Sequence, residues 1–147
     1  MLLVVFLAGC QSHPVKQFHG KWETGPYNDG SFAGIDGKLR YAATPTNMNG
    51  VYFHLVNNCA ARLLFTDKLA TETAASVTTQ VDLLPKREYL AGSSSEDRYK
   101  TVLTFYVTPD EIAEYRAGQT MQIQVEGDIF RVNLVGANKA LAPFKCD

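Results

Sequence analysis

The segment from Thr120 to Leu134 restricts what this chain can fold into more than any other. Two alternating runs, residues 120–126 and 129–134, flank Gly127-Asp128, a residue pair that favours a two-residue hairpin turn. With that loop Val125 opposes Phe130, Ile123 opposes Val132 and Met121 opposes Leu134. Gln124 then opposes Arg131, and Gln122 opposes Asn133. Side chains alternate across a strand, so the pairing makes one apolar and one polar face. A slip by one residue would mix the two, which specifies the register.

The same period-two pattern recurs upstream. In residues 51–56, Val51, Phe53 and Leu55 share one face, and Tyr52, His54 and Val56 share the other. Asn57-Asn58 marks a turn, and Ala60 to Phe65 makes a following strand. Val77, Thr79, Val81 and Leu83 form one side of another strand. Leu103, Phe105 and Val107 lie on one face of a strand over 99–107. A further strand is expected over 38–43, inside a stretch of turns and short strands (25–50) dense in Gly, Asn, Asp, Thr and Pro. Residues 68–76 fit a helical turn or a loop, and 91–97 read as a loop.

Two short helices are expected near the C-terminus. Thr108 can cap the first, Pro109 fits its first position, and Glu111 completes a capping box. Ile112 and Tyr115 would face the sheet, and Gly118 would end the helix in the left-handed conformation. The second covers 137–144, packs Ala140, Leu141 and Phe144 inward, and is ended or distorted by Pro143. A length of 147 residues favours one domain, and a hydrophobic content of 46% can fill its core. The expected fold is a single β-rich α+β domain over residues 25–147. It is built on an antiparallel sheet, or a small barrel or sandwich, with one or two short helices near the C-terminus.

Ahead of that domain, residues 2–8 read Leu-Leu-Val-Val-Phe-Leu-Ala. They fall far short of the ~20 residues that span a bilayer as a helix, but have the length of a secretory apolar core. The sequence Leu7-Ala8-Gly9-Cys10 resembles the bacterial lipobox. The resemblance implies that residues 1–9 are a signal peptide and that Cys10 becomes the acylated first residue of a membrane-anchored lipoprotein. Residues 10–24 would then be a tether. No Lys or Arg precedes Lys16, so the natural leader is expected to begin upstream of Met1. Gln11, rather than Asp, follows the cysteine. By similarity to Gram-negative sorting rules, this implies the outer membrane, with the domain facing the periplasm or the surface.

Lipidation of Cys10 leaves Cys59 and Cys146 as an even pair in an oxidising compartment, where one disulfide is the simplest outcome. No Cys-x-x-Cys, nearby His or basic cluster favours a reactive thiol instead.

Candidate catalytic chemistry is sparse. His13, His19 and His54 lack metal-ligand spacing and an accompanying Cys or carboxylate cluster. Ser93, Ser94 and Ser95 have no nucleophile-elbow context. Asp110, Glu111 and Glu114 are accounted for by helix capping and the helix dipole. No glycine pattern for phosphates or dinucleotides occurs, and no cofactor is expected. The formal net charge of −1 is spread along the chain, without the one-sided positive field that nucleic acid requires.

Two further resemblances bear on function. Phe18-His19-Gly20-Lys21-Trp22 is similar to the Phe-x-Gly-x-Trp opening of lipocalin-type barrels, which implies a Trp plugging a barrel that carries a small apolar ligand. Residues 99–146 combine a strand, a short helix, a Gly and a hairpin with Leu134-Val135-Gly136-Ala137, Ala140-Leu141 and a terminal Cys146. This pattern is similar to small exported proteins of the invasion-associated locus B type, and implies an exported β-rich domain, a terminal disulfide and an interaction role. The expectation is therefore a non-enzymatic envelope binding or accessory module, with an envelope or host protein as partner. Tyr27, Phe32, Tyr41 and Tyr52 are the candidate contact residues, since aromatics favour interfaces. An apolar-ligand carrier is the alternative, and a hydrolase of envelope polymers ranks last.

Overall fold

The structure is a computed structural model and describes residues 15–18, 21–27, 40–43, 51–67, 74–96 and 99–146. In chain order the strands are β1 (Val15–Phe18), β2 (Glu23–Pro26), β3 (Arg40–Ala43), β4 (Val51–Val56), β5 (Ala60–Phe65), β6 (Ala74–Val81), β7 (Arg87–Ser94) and β8 (Thr101–Tyr106). Helix α1 (Pro109–Ala117) follows, then β9 (Thr120–Val125), β10 (Asp128–Asn133) and helix α2 (Ala137–Leu141). The strands form one sheet in the order β1-β10-β9-β6-β7-β8-β5-β4-β3-β2. Nine run antiparallel to their neighbours, and β1 joins β10 in parallel.

That order requires a curled sheet. Ten strands laid flat would separate the two edges by about 43 Å at ~4.8 Å per step. Yet β1 and β2, the two edges, are consecutive in the chain, and the step from Phe18 to Glu23 can span at most about 18 Å. The edges are therefore drawn towards each other without closing into a barrel. Trp22 fastens this seam: its indole Nε1 donates to the Asn133 carbonyl at the end of β10, 2.8 Å away. Both β1 and β2 include residues that the sequence places in a tether. Parallel pairing with β10 recruits β1, and antiparallel pairing with β3 recruits β2, where local composition gives no strand signal.

The inner face of the curl holds the main core. Phe53, Leu55, Leu63, Phe65, Leu103, Phe105, Met121, Ile123, Phe130 and Val132 point into one cluster, joined by Ile112 and Tyr115 of α1 and Ala137 and Leu141 of α2. The alternation expected for β4, β8, β9 and β10 is the alternation observed, and the apolar run Ala60 to Phe65 is a strand as expected. The turn between β4 and β5 places Cys59 at φ 66°, with its Cα 4.9 Å from that of Cys146, and the two are disulfide-bonded. The C-terminal segment is thus tied to the β4–β5 turn.

Five local expectations change. Residues 74–76, read as part of a helical turn or loop, begin β6, where pairing with β7 makes them extended. The β9–β10 hairpin pairs Val125 with Asp128, Ile123 with Phe130 and Met121 with Val132, so its loop is Glu126-Gly127. Both loop residues have positive φ, 52° and 86°, as the favoured two-residue turn requires. Moving the loop by one position keeps every side chain on its original face, so the apolar pattern cannot distinguish the two registers. Residues 91–94, read as loop, belong to β7, where pairing to β6 and β8 imposes a strand on a Ser-rich sequence. Ser93 and Ser94 accordingly sit opposite Leu103 and Val102. Gly118 ends α1 with φ −84° and ψ 176°, extended rather than left-handed. It is glycine because a Cβ there would lie 2.5 Å from Val81 Cγ1. Leu83, expected on the buried side of its strand, is 96% exposed, because Asp82 at φ 47° turns the chain first.

Candidate functional site

Strand β5 is buried at all six positions, so its outer face is covered as well as its inner one. On that outer side Arg62 is 1% exposed. Its Nη2 pairs with Glu96 Oε2 at 2.6 Å, its Nη1 donates to the Tyr27 hydroxyl, and its Nε reaches Thr104 Oγ1 at 3.4 Å. Burial opposes the charged guanidinium, but the Tyr27 hydroxyl and the Glu96 carboxylate outweigh it and raise the Arg62 pKa. His54 lies on the same face of the neighbouring strand, stacked on Tyr41 at a centroid distance of 5.1 Å and edge-on to Tyr27 at 5.8 Å. Burial, then the nearby Arg62 charge, lowers its pKa to about 4, so it is neutral at pH 7. Among the described residues, His54 Nδ1 and Glu96 Oε1 have no hydrogen-bond partner.

This arrangement is a packed polar core. It engages the guanidinium on three sides and sets aromatic rings over the imidazole. Of the candidate contact residues, Tyr27 is 2% exposed and belongs to this interior, so it does not present a contact surface. Tyr41 and Tyr52 are half-buried: Tyr41 stacks on His54, and Tyr52 meets Tyr99 edge-on at 5.5 Å. Phe32, Cys10, His13 and His19 lie outside the described residues. Sequence reading overlooked Arg62 and Glu96. The available signal was an arginine inside the apolar run Ala60 to Phe65, at a position that β-strand alternation assigns to the face of His54.

An accessible apolar surface lies elsewhere, where the β6–β7 turn meets α1. A groove of about 590 Å³ runs between Val81, Leu83 and Leu84 on one side and Ala113, Ala117 and Gly118 on the other. The turn is anchored. Asp82 carboxylate oxygens accept from the backbone N–H groups of Gln119 and Thr120 at 3.1 Å each, and Gln80 Nε2 donates to the Leu84 carbonyl at 2.9 Å. Leu83 and Leu84 are nevertheless 96% and 42% exposed. A leucine held almost wholly in water at the rim of an apolar groove is the kind of exposure that marks interaction sites.

The opposite wall is fixed by α1. The Thr108 side chain accepts from Glu111 N, and Glu111 Oε2 accepts from Thr108 N at 2.7 Å, which is the expected capping box. Glu111 has a second task that the sequence did not reveal: its Oε1 accepts from the Tyr89 hydroxyl on β7. Glu114 pairs with Arg87, also on β7. Burial first, then the Glu111 carboxylate, raises the Tyr89 pKa, and burial raises that of Tyr115. These carboxylates and phenols therefore fasten the helix to the sheet beside the groove.

No protein-family model and no curated protein matches this chain. Among solved structures, the chain is similar to invasion associated protein B from Bartonella henselae. The TM-score is 0.57, with 86% of this chain and 92% of that one covered, at 16% identity. At that identity the shared property is the fold. The likeness covers much more than the C-terminal pattern of residues 99–146.

Proposed function

We propose that this protein is a lipid-anchored binding or accessory module of the bacterial envelope. It is held at the membrane through Cys10 and docks a partner protein in the groove between the β6–β7 turn and α1. The observation that carries the docking reading is the exposure of Leu83 and Leu84 on an anchored turn, facing an apolar helix wall. A binding role is favoured over catalysis because Arg62, Glu96, Arg87, Glu111 and Glu114 are committed to contacts that hold the fold. A binding role is also favoured over an interior ligand: Phe53, Leu63, Leu103, Met121 and Ile123, each 1% exposed or less, fill the space inside the curl. The fold likeness to an invasion-associated protein fits an exported interaction domain.

A photo-reactive residue at position 83, introduced in cells that make the protein, tests this. Position 135 serves as control, since Val135 is also exposed, at 69%. A discrete cross-linked species from position 83, absent from position 135 and lost on Leu84→Ser, is expected. The same diffuse background from both positions would contradict the proposal.

A further inference from the structure

The groove has a charge pattern as well as an apolar floor. Its lining includes the carboxylates of Asp82, Asp110 and Glu114 and no Lys, Arg or His. Arg87 offsets Glu114. Asp82 accepts two backbone N–H groups, which position its negative charge without cancelling it. Asp110 stands exposed in the first turn of α1. The apolar strip between Leu83 and Ala117 is thus flanked by two carboxylates that no cation offsets among the groove's lining residues.

We infer that the groove takes a short apolar peptide segment of a partner protein, with Lys or Arg beside its apolar side chains. The inference rests on the docking role proposed above and adds the partner's chemistry. Leu83 and Leu84 supply the area that binding removes from water, and Asp82 and Asp110 supply the sign. An anionic lipid surface meets the wrong charge here, and so does a segment with acidic flanks.

The test uses the full chain and three labelled peptides read by fluorescence anisotropy: one of leucines and alanines flanked by Lys, one with the same apolar residues flanked by Glu, and one with Lys flanks around serines. The Lys-flanked apolar peptide is expected to bind best, at least about tenfold tighter than either other peptide. Its affinity falls with added salt. Leu83→Ser is expected to weaken it about tenfold, and Asp110→Asn about threefold. Both side chains are exposed, so neither substitution threatens the fold. Equal binding of the Lys and Glu peptides, or of the serine peptide, overturns the inference. So does Leu83-dependent binding to vesicles containing anionic phospholipid, or a dimer that Leu83→Ser dissociates. If the Glu peptide binds and Leu83→Ser abolishes it, the docking role stands and only the charge assignment fails. If no peptide responds to Leu83→Ser and position 83 gives no cross-link, both fail.

Discussion

Arg62 is tolerated in the interior because Tyr27, Thr104 and Glu96 give its guanidinium acceptors on three sides. Removing it strands the Glu96 carboxylate, which is 12% exposed. Arg62→Ala is therefore expected to lower the unfolding free energy by about 3–5 kcal/mol in urea titrations. Arg62→Met combined with Glu96→Gln should recover part of that loss, because the uncompensated charge is gone. Equal losses in the single and double variants would show that the two groups are not coupled. His54 adds a pH dependence. Its folded pKa of about 4 lies below the unfolded value of 6.5, so the fold favours the neutral imidazole. Its stabilising contribution is complete above pH 6.5, declines as the pH falls towards 4 and is level below that. The whole effect is no more than about 3–4 kcal/mol. An NMR titration of the imidazole should report the low pKa, and His54→Asn should remove this part of the acid-side slope.

At the scale of elements, legibility followed the strength of the local pattern. Strand β4, strand β5 and the capping box at Thr108 stand where alternation, a continuous apolar run and cap residues respectively place them. Strand β7 was hidden because its pairing partners, not its composition, make it extended: Leu90 faces solvent at 78% exposure while Tyr89 and Ala91 pack inward. The hairpin register was hidden because two registers bury the same faces. The groove was hidden because it depends on the positive φ at Asp82, which turns Leu83 out of the strand's alternation. The Arg62 network joins residues from β5, β8 and two loops far apart in sequence, which no local window contains. Gly118 offers a test of the packing account. Its backbone is ordinary for any residue, so Gly118→Ala would be harmless if conformation alone mattered. The close approach of Val81 instead predicts a loss of about 1–3 kcal/mol, read from the urea midpoint.

For the whole molecule, the curl of the sheet and the disulfide act together. The seam between the edges is fastened by Trp22, and Cys59–Cys146 closes a span of 87 residues that runs from β5 through β10 and takes in both helices. A loop of that size is expected to stabilise the fold by about 4.6 kcal/mol in the chain-entropy account, so reduction should lower the unfolding free energy in urea by up to that amount. Such a bond persists in an oxidising compartment, which fits the export that the acylation proposed at Cys10 would entail. One measurement reads both: mass spectrometry of the protein taken from the membranes of cells that make it. The account predicts a first residue Cys10 carrying acyl chains, with Cys59 linked to Cys146 and no free thiol before reduction. An unmodified Cys10 in a soluble chain with two readily alkylated cysteines would contradict it.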